Sequence, residues 1–534
     1  MTELQAVAVL DEAHVGDIHG ALGTIRHHDT GPRTHVWARL KTLLAIIGPG
    51  LIVMVGDNDA GGFATYAQAG QNYGYTLLWT LALLIPVLYV NQEMVLRLGA
   101  VSGVGHARLI LERFGRFWGA FSVIDLFLLN ALTIITEFVG IDLALRYLGL
   151  PEKPGVALSA ALVTIAVGTG SFRRFERLAL TLCVGSLALV PLYFWVGPPL
   201  GEVARHFVIP GLPHGGLTSD LMLLIIGIVG TTVAPWQLFF QQSYVIDKRI
   251  TPRFIRYERA DLWLGIGIVI IGAVAIVAVC AYAFGGRPEA GAFADVGATA
   301  LGLEHVAGRV AGVLFAVALI VSAMLGAAAV SLSSAYALGD VFSVRHSLHR
   351  KPWEARAFYL VYAGLVGCSA ALVLVPNMPL GLLTVAVQAL AGVLLPSATV
   401  FLLLLCNDRA VLGPWVNGRV MNLFTSVIIA ALVVLSLVLT AATVFPAITG
   451  GQIVTILAVG GVLALAAALI ALRGMTGGAA AVGPRETWRM KPLASLPKLV
   501  LTGPIRLWLG TLRGYLILAA GLVLVRMVQL ALGG

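Results

Sequence analysis

Residues 55–62 read Val-Gly-Asp-Asn-Asp-Ala-Gly-Gly, which places two carboxylates, an amide and three glycines inside an apolar run. The run begins near Leu43 and continues beyond Phe63. An unpaired carboxylate at bilayer depth costs several kcal/mol, and backbone groups freed by glycines there need a polar site to line. The stretch therefore predicts a transmembrane helix that is broken at a cation site. A plain loop between two short helices is the alternative.

The composition of the chain is that of a polytopic membrane protein. Of its 534 residues, 59% are hydrophobic and 11% are charged, and the mean hydropathy is +0.92. Apolar segments of about 20 residues with little two-residue alternation favour helices over a β-barrel. The net charge of +9 could indicate nucleic acid, but the basic residues lie in short loops, where they set membrane topology. We therefore exclude a nucleic-acid partner.

Neither the cysteines nor the N-terminal histidines indicate a bound metal. The cysteines lie in or beside apolar runs without C-x-x-C spacing, which is typical of packing residues; they are Cys183, Cys280, Cys368 and Cys406. Residues 1–41 have no apolar core segment, so they predict a polar cytoplasmic tail without regular structure, and no signal peptide. The pair His27-His28 is expected to be solvated there.

Apolar runs bounded by charges or by Gly/Pro clusters predict twelve transmembrane spans. They cover approximately 42–66, 74–97, 117–147, 156–171, 176–197, 217–246, 259–285, 306–340, 357–376, 379–406, 419–445 and 451–473. Arginine and lysine collect in every loop that is cytoplasmic if the N terminus is inside. The positive-inside rule therefore predicts a cytoplasmic N terminus. We expect a monomer in the lipid bilayer of the plasma membrane.

A second interruption lies five spans after the first. Residues 230–237 of span six contain Pro235, which removes a backbone donor and clashes with the preceding turn. Taken alone, Pro235 could be a mere kink. Discontinuous helices at spans one and six are typical of a five-plus-five inverted repeat, in which two unwound segments converge near the midplane and coordinate an ion. We therefore predict an all-α membrane protein built on such a repeat.

The divisions of the chain follow from this repeat. They are a tail at 1–41, a first repeat at 42–200, a second repeat at 217–406, two further spans at 417–473, and a linker with a C-terminal helix at 474–534. The apolar core of that last helix, at 515–525, is short for a crossing. It is predicted to lie in the membrane interface, with a thirteenth span as the alternative.

The polar groups at the two interruptions form an oxygen-only ligand set. Asp59 is the predicted charged ligand and Thr231 the predicted carbonyl ligand. Asp57, Gln237 and Gln388 would hold the ion directly or through water. Such a set suits Mg2+, Ca2+ or Mn2+ better than softer metals. Instead of binding the ion, Asp57 could pair with a neighbouring residue or cap a half-helix. Gln388 could instead form a hydrogen bond between two helices.

These motifs resemble the Nramp family of divalent metal transporters across roughly residues 42–445. Residues 48–50 read Gly-Pro-Gly and are followed after eight residues by Asp-Ala-Gly-Gly at 59–62, where the family has Asp-Pro-Gly-Asn. Residues 231–238 align without a gap with the family's Ala-Thr-Val-Met-Pro-His-Asn-Leu. Residues 97–99 and 137–140 and Gln388 match its second, third and tenth spans. The resemblance implies a leucine-transporter-like fold and transport of divalent metals.

The chain departs from the family where the metal and the proton are handled. The family's ligand asparagine and methionine are replaced here by Gly62 and Ala234, its histidines by Trp236 and Gln241, and a third-span aspartate by Ile134. Loss of the thioether and of side-chain volume predicts a roomier oxygen site, which suits Mg2+ because that ion dehydrates reluctantly. The pattern is similar to the Nramp-related magnesium transporters, a divergent branch, and this resemblance implies uptake of Mg2+ and Mn2+.

Proton coupling is predicted to be weak or absent, because the missing histidines are the groups that titrate near neutral pH. Glu137 is then expected to be a structural acid, and Trp236 either gates or packs. At an inside-negative potential of about 100 mV, a divalent ion gains about 4.6 kcal/mol on entry, so coupling is not required.

Four other functions are weighed against this reading. They are a proton-coupled Mn2+ or Fe2+ transporter, a Na+-coupled amino-acid transporter on the same plan, a divalent cation channel and a membrane enzyme. The sequence contains no H-E-x-x-H, G-x-S-x-G or P-loop motif, so we predict no enzyme. No cofactor is predicted apart from the transported ion.

Overall fold

The computed structural model is predominantly helical, as predicted. It describes residues 12–213, 216–375, 380–444, 448–474 and 484–497, together with the isolated positions 499, 510, 514, 517 and 521. The C-terminal helix predicted at 515–525 therefore lies outside the described residues, apart from two isolated positions. A small antiparallel hairpin, β1 (Ile18–Gly20) and β2 (Gly23–Ile25), precedes the helices.

The α-helices are numbered in chain order. They are α1 (Val36–Ile46), α2 (Pro49–Val55), α3 (Ala60–Tyr73), α4 (Leu78–Ser102), α5 (His106–Phe114), α6 (Arg116–Tyr147), α7 (Glu152–Gly168), α8 (Phe172–Ser186), α9 (Leu189–Val196), α10 (Leu200–Val208), α11 (Ser219–Thr232), α12 (Pro235–Asp247), α13 (Ile255–Phe284), α14 (Val296–Ala307), α15 (Arg309–Phe342), α16 (Arg356–Val373), α17 (Leu380–Cys406), α18 (Arg409–Leu412), α19 (Arg419–Val444) and α20 (Gly450–Gly474). Short 3₁₀ turns include Gly74–Leu77, Pro252–Phe254 and Arg485–Thr487.

Both predicted interruptions are present. In span one, α2 ends at Val55 and α3 begins at Ala60. In span six, α11 ends at Thr232 and α12 begins at Pro235. The carbonyl of Thr231 would normally bond to the N–H four residues later, but that residue is Pro235, which has none. Pro235 therefore separates two helices and does more than kink one.

The count of twelve spans is not reproduced and stays a prediction. Within the described residues, nine helical stretches are long and apolar enough to cross a membrane, or ten if α1 and α2, bent by 53°, form one span. The stretch Ala60–Ser102 joins two predicted spans into one. In addition, α7 has only 17 residues, which is at the short limit for a crossing.

The two broken spans lie against long continuous helices. Both α2 and α3 pack along α13, α11 packs along α17, and α6 packs along α15. The α2–α13 approach is close, because a Cβ at Gly50 would lie 2.6 Å from the backbone nitrogen of Leu262. Backbone contact of this kind fixes the position of each break relative to its neighbours.

Part of the N-terminal tail is folded, contrary to the expectation of no regular structure. The N–H of Ala21, in the hairpin turn, donates to the Glu176 carboxylate of α8 at 2.5 Å. Arg249, just after α12, donates to the carbonyls of Ala13 and Asp17 at 2.9 and 3.0 Å. Charged groups at the ends of α8 and α12 thus find main-chain partners in the tail, and the hairpin forms on that surface.

The packing of α11 on α17 predicts different outcomes for two glycines on one helix. A Cβ at Gly230 would lie 2.1 Å from the Gln388 carbonyl oxygen, whereas at Gly227 the nearest atom is a Thr65 methyl at 3.6 Å. We expect Gly230→Ala to lower the free energy of unfolding by about 1–3 kcal/mol through overpacking. We expect Gly227→Ala to change it by less than about 1 kcal/mol. Thermal unfolding in detergent measures both, and equal melting temperatures would contradict the packing.

Candidate metal-transport site

Asp59 is fixed at the start of α3 by the helix end itself. It is the N-cap of α3, with an extended backbone, and its Oδ1 accepts a hydrogen bond from the N–H of Gly62 at 2.8 Å. Its side chain is buried. An N-cap carboxylate is favoured by the helix dipole, so the start of α3 fixes a carboxyl group at the break.

Glu137 of α6 lies directly beside Asp59. Its Oε2 accepts from the N–H of Ala60 at 3.0 Å, and the two carboxyl groups are within hydrogen-bonding reach of each other. Gly326 of α15 allows this, since a Cβ there would lie 2.9 Å from both the Asp59 Cβ and the Glu137 Cδ. Two buried carboxyl groups this close repel each other when both are ionised. The acid that the sequence marked as structural therefore touches the predicted metal ligand.

Asp57 lies within the first break and is oriented by a chain of amides. Gln237 Nε2 of α12 donates to Asp57 Oδ1, and Gln237 Oε1 accepts from Gln92 Nε2 of α4 at 2.6 Å. Asp57 is fully buried, and its Oδ2 has no protein partner among the described residues. A buried, unpaired carboxylate oxygen is costly, so it points to a cation or water as its partner. Gln237 orients Asp57 here and does not offer its own oxygen.

Two further buried polar groups reach the first turn of α3. Thr231 Oγ1 and Gln388 Nε2 have no hydrogen-bond partner in the part of the chain described. A Cβ at Gly61 would lie 1.7 Å from Gln388 Nε2, and one at Gly62 would lie 3.4 Å from Thr231 Oγ1. The Gln388 amide fits equally well when rotated so that its oxygen faces Gly61, because the two ends of an amide are nearly isosteric. Two helices, α11 and α17, thus bring unsatisfied polar groups to the first turn of α3.

Gly62 and Ala234 contribute no side-chain ligand. A Cβ at Gly62 would lie 2.6 Å from the Asp57 carbonyl oxygen, so backbone fills the space that the sequence predicted to be open. Ala234 is the N-cap residue of α12, and its carbonyl accepts from the N–H of Gln237 at 3.2 Å. Of the residues predicted at the second break, Thr231 is left with a carbonyl that lacks its helical donor.

Large side chains close the space around the breaks. The hydroxyls of Tyr66 and Thr232 share a hydrogen bond of 2.7 Å, which ties α3 to α11. The Trp236 ring is buried and lies 3.2 Å from where a Cβ of Gly56 would stand. Trp236 therefore packs against the first break.

Other polar residues of the spans lie away from the two breaks. Ion pairs join Glu93 to Arg97 and Arg259 at 3.2 and 2.6 Å, and Asp142 to Arg146 at 3.1 Å. Gln242 donates to the carbonyl of Val104 at 2.6 Å, away from the break. Sequence reasoning missed Gln92, although the consecutive polar residues 91–93 within apolar α4 were a signal that could have found it.

A cleft of 370 Å³ lies between the ends of α3 and α11 that point away from the N-terminal segment. Gln68 and Asn72 of α3 and Asp220 of α11 supply its polar lining. Gln68 lies seven residues, or about two turns, after Gly61, so both are on one face of α3.

The donors at the break do not form a preassembled metal cage. Among the described residues, no group of three or more His, Cys, Asp or Glu side chains is placed to hold a metal ion. The available donors are two carboxylates with amide, hydroxyl and carbonyl groups. Such a set suits a hard cation that keeps several waters and lacks the sulfur and imidazole ligands that softer metals prefer.

Comparison with known sequences agrees with this geometry. The profile of the Nramp family, described as natural resistance-associated macrophage protein-like, matches residues 50–442. The divalent metal cation transporter MntH of Ralstonia nicotianae is 31% identical over 399 residues, which cover 71% of this chain and 86% of the relative. The MntH of Burkholderia ambifaria is 29% identical over 410 residues, covering 74% and 87%. The chain therefore belongs to the Nramp family, and it is an integral multi-pass membrane transporter and not an enzyme.

Solved structures show the same fold. The crystal structure of the Eremococcus coleocola manganese transporter, in complex with an aromatic bis-isothiourea substituted compound, superposes with a TM-score of 0.63. The sequence identity is 20%, and the match covers 88% of this chain and 100% of that one. At this identity the likeness speaks for the fold alone. The predicted leucine-transporter-like architecture with two broken spans is confirmed.

The charge on Asp59 can be tested apart from its capping role. Asn caps helices about as well as Asp, so Asp59→Asn keeps the helix start and removes the charge. We expect metal uptake below KM to fall about 10- to 100-fold, as for loss of a charged hydrogen-bonding partner. Asp295→Asn is the matched control, because Asp295 caps α14 through an equal bond of 2.8 Å to the N–H of Ala298. Equal uptake in the two variants would remove Asp59 from the site.

Proposed function

We propose that this protein takes up Mg2+, partly hydrated, and also Mn2+, by alternating access across the plasma membrane. The observation that carries the proposal is the set of unpartnered, buried polar groups at the two helix breaks. Asp57 Oδ2, Thr231 Oγ1 and Gln388 Nε2 all lack protein partners in the described structure. They lie around Asp59 without any sulfur or imidazole donor. A partly hydrated ion would satisfy all of them at once, some through its own waters.

Binding would begin at Asp59 and the Thr231 carbonyl, which are aligned before the ion arrives. The ion would reach them along the α3–α11 seam from the 370 Å³ cleft. Asp57 would then exchange part of its interaction with Gln237 for the ion or one of its waters. Gln237 of α12 also accepts a hydrogen bond from Gln92 of α4. A shift of Gln237 would therefore change the contact between α12 and α4. Ion binding at the breaks could thus change the positions of the two broken spans.

The inner half of span one is held closed at its start. Asp261 of α13 accepts from the N–H groups of Gly48 and Gly50 at 3.1 and 2.7 Å. Lys248, after α12, donates to the carbonyls of Ile46 and Ile47 at 2.6 and 2.8 Å. Release of the ion to the cytoplasm requires α2 to leave these partners. We call these contacts of Asp261 and Lys248 the clamp. The clamp would keep the cytoplasmic side closed until ion binding shifts the conformational equilibrium towards the inward-open state.

The transport is proposed to run without proton coupling. Spans one and six contain no histidine, and an inside-negative potential of about 100 mV supplies about 4.6 kcal/mol for a divalent ion. A proton-coupled Mn2+ transporter is the second candidate, and the contact between Asp59 and Glu137 favours it. In such a transporter, a cation on Asp59 would compete with a proton bound between the two carboxyl groups.

Proteoliposomes that contain a trapped pH dye separate these two functions. We expect Mg2+ uptake to rise with inside-negative potential and to proceed without internal acidification. We expect Glu137→Gln, which keeps an oxygen for the Ala60 N–H, to leave uptake within about tenfold of the wild type, since loss of one neutral hydrogen bond costs about 0.5–1.5 kcal/mol at most. The matched measurement uses Mn2+ at the same potential.

Other outcomes assign the function differently. Acidification in proportion to uptake, abolished by Glu137→Gln, would establish the coupled transporter. Uptake of Mn2+ with none of Mg2+ would overturn the magnesium assignment. Flux per molecule far above carrier rates would indicate a channel.

A further inference from the structure

A second cleft, of 630 Å³, opens at the end of the molecule that carries the N-terminal segment. One wall is α1, and the other is the Pro252–Phe254 turn with the first residues of α13. Four arginines line it: Arg33, Arg39, Arg253 and Arg256. The remaining lining is largely apolar and includes Leu40, Leu43 and Tyr257. The cleft is separate from the helix breaks and plays no part in the transport steps above.

The arginines leave an excess of positive charge in the cleft. One carboxylate, Glu486, lines it with them, and Arg33 is paired with Asp29 at 2.8 Å. Arg253 donates to the main-chain carbonyls of residues 29–31 at 2.7 Å, which orients its guanidinium without neutralising it. Four positive groups thus face two negative ones.

Two of the arginines are available to a ligand. Arg39 is exposed, and among the described residues its guanidinium makes one hydrogen bond, from Nε to the Arg33 carbonyl at 3.0 Å. Arg256 is exposed and has no hydrogen bond or ion pair with any described residue. Planar guanidinium groups bind phosphate through paired N–H donors. The cleft therefore presents phosphate-binding chemistry at Arg39 and Arg256 that no described residue uses.

The rim of the cleft has the character of a membrane interface. On α1, Val36 is 76% exposed, Trp37 is 74% exposed and Leu40 is 40% exposed. Tryptophan and arginine concentrate where a membrane protein passes from the acyl chains to the headgroups. Since α1 and α2 together form a bent candidate span, the cleft lies where the first span enters the bilayer. A ligand bound there would meet charge on one side and apolar surface on the other.

We propose that this cleft binds the headgroup of an anionic phospholipid from the inner leaflet. Its phosphate would sit between Arg39 and Arg256, and its acyl chains would lie along Val36 and Leu40. The lipid would bridge α1 to the start of α13. Because α1 leads directly into α2, an occupied cleft would hold the entry of the first broken span in place.

Counting retained lipids on the intact full-length protein tests the proposal without depending on transport. The detergent-purified chain is titrated with phosphatidylglycerol or phosphatidylcholine, and bound lipids are counted by native mass spectrometry. We expect the double variant R39Q/R256Q to bind phosphatidylglycerol about 30-fold more weakly than the wild type, at about a factor of five per basic residue. Phosphatidylcholine binding should not differ between them.

The control R345Q/R419Q makes the same charge change at two exposed arginines outside the cleft and should bind like the wild type. The variant R39K/R256K keeps the charges and should retain most of the binding, and matching melting temperatures show that all variants are folded. Equal phosphatidylglycerol binding by R39Q/R256Q and the wild type would overturn the proposal. So would displacement of the lipid by excess inorganic phosphate, which would identify a site for a soluble anion.

Discussion

A helix that stops in the middle of a membrane leaves backbone groups that water cannot reach. In this protein α2 and α11 both stop there, and each stop has a specific chemical cause. The glycine-rich stretch at 56–62 lets the first span unwind, and Pro235 withholds the N–H that Thr231 would need. The freed Thr231 carbonyl and the unpartnered Asp57 Oδ2 need a partner other than a helix N–H. A cation with its waters meets that need, and the other features of the site support this one requirement.

The same requirement explains why so much charge is buried near the inner half of span one. Lys248 and Glu176 form an ion pair of 2.7 Å with both side chains fully buried, and Asp261 binds the N–H groups at the start of α2. Buried ion pairs of this kind add little net stability compared with apolar packing, and setting a switch or a register is their best-attested use. Here they join α8, α12 and α13 to the start of α2, the short helix that we propose moves when the ion is released. The folded hairpin extends the clamp, because Ala21 bonds to the same Glu176.

The breaks could be predicted from the sequence because Gly and Pro act locally, within a turn of where they stand. Asp59 could be singled out for a similar reason, since a carboxylate at a helix start inside an apolar run has few structural explanations. The family resemblance added the order of the motifs. The contact of Glu137 with Asp59 could not be predicted, because it joins residues on different helices and depends on Gly326 of a third helix.

Other parts of the site escaped prediction for reasons that are equally physical. The absence of a side chain at Gly62 was predicted to widen the site. The carbonyl of Asp57 fills that space instead. The course of the backbone cannot be predicted from the size of one side chain. Gln92 was missed because its role depends on Gln237, 145 residues away. The hairpin was missed because three-residue strands have no periodicity to detect.

The central claim is that one cation is held between the two helix breaks by Asp59 and the Thr231 carbonyl. Crystals of the protein soaked in Mn2+ and measured for anomalous scattering test it directly. The account predicts a single strong peak at roughly 2.0–2.6 Å from a carboxylate oxygen of Asp59 and from the Thr231 carbonyl oxygen. Strong peaks elsewhere in the protein, with none at the breaks, would contradict it.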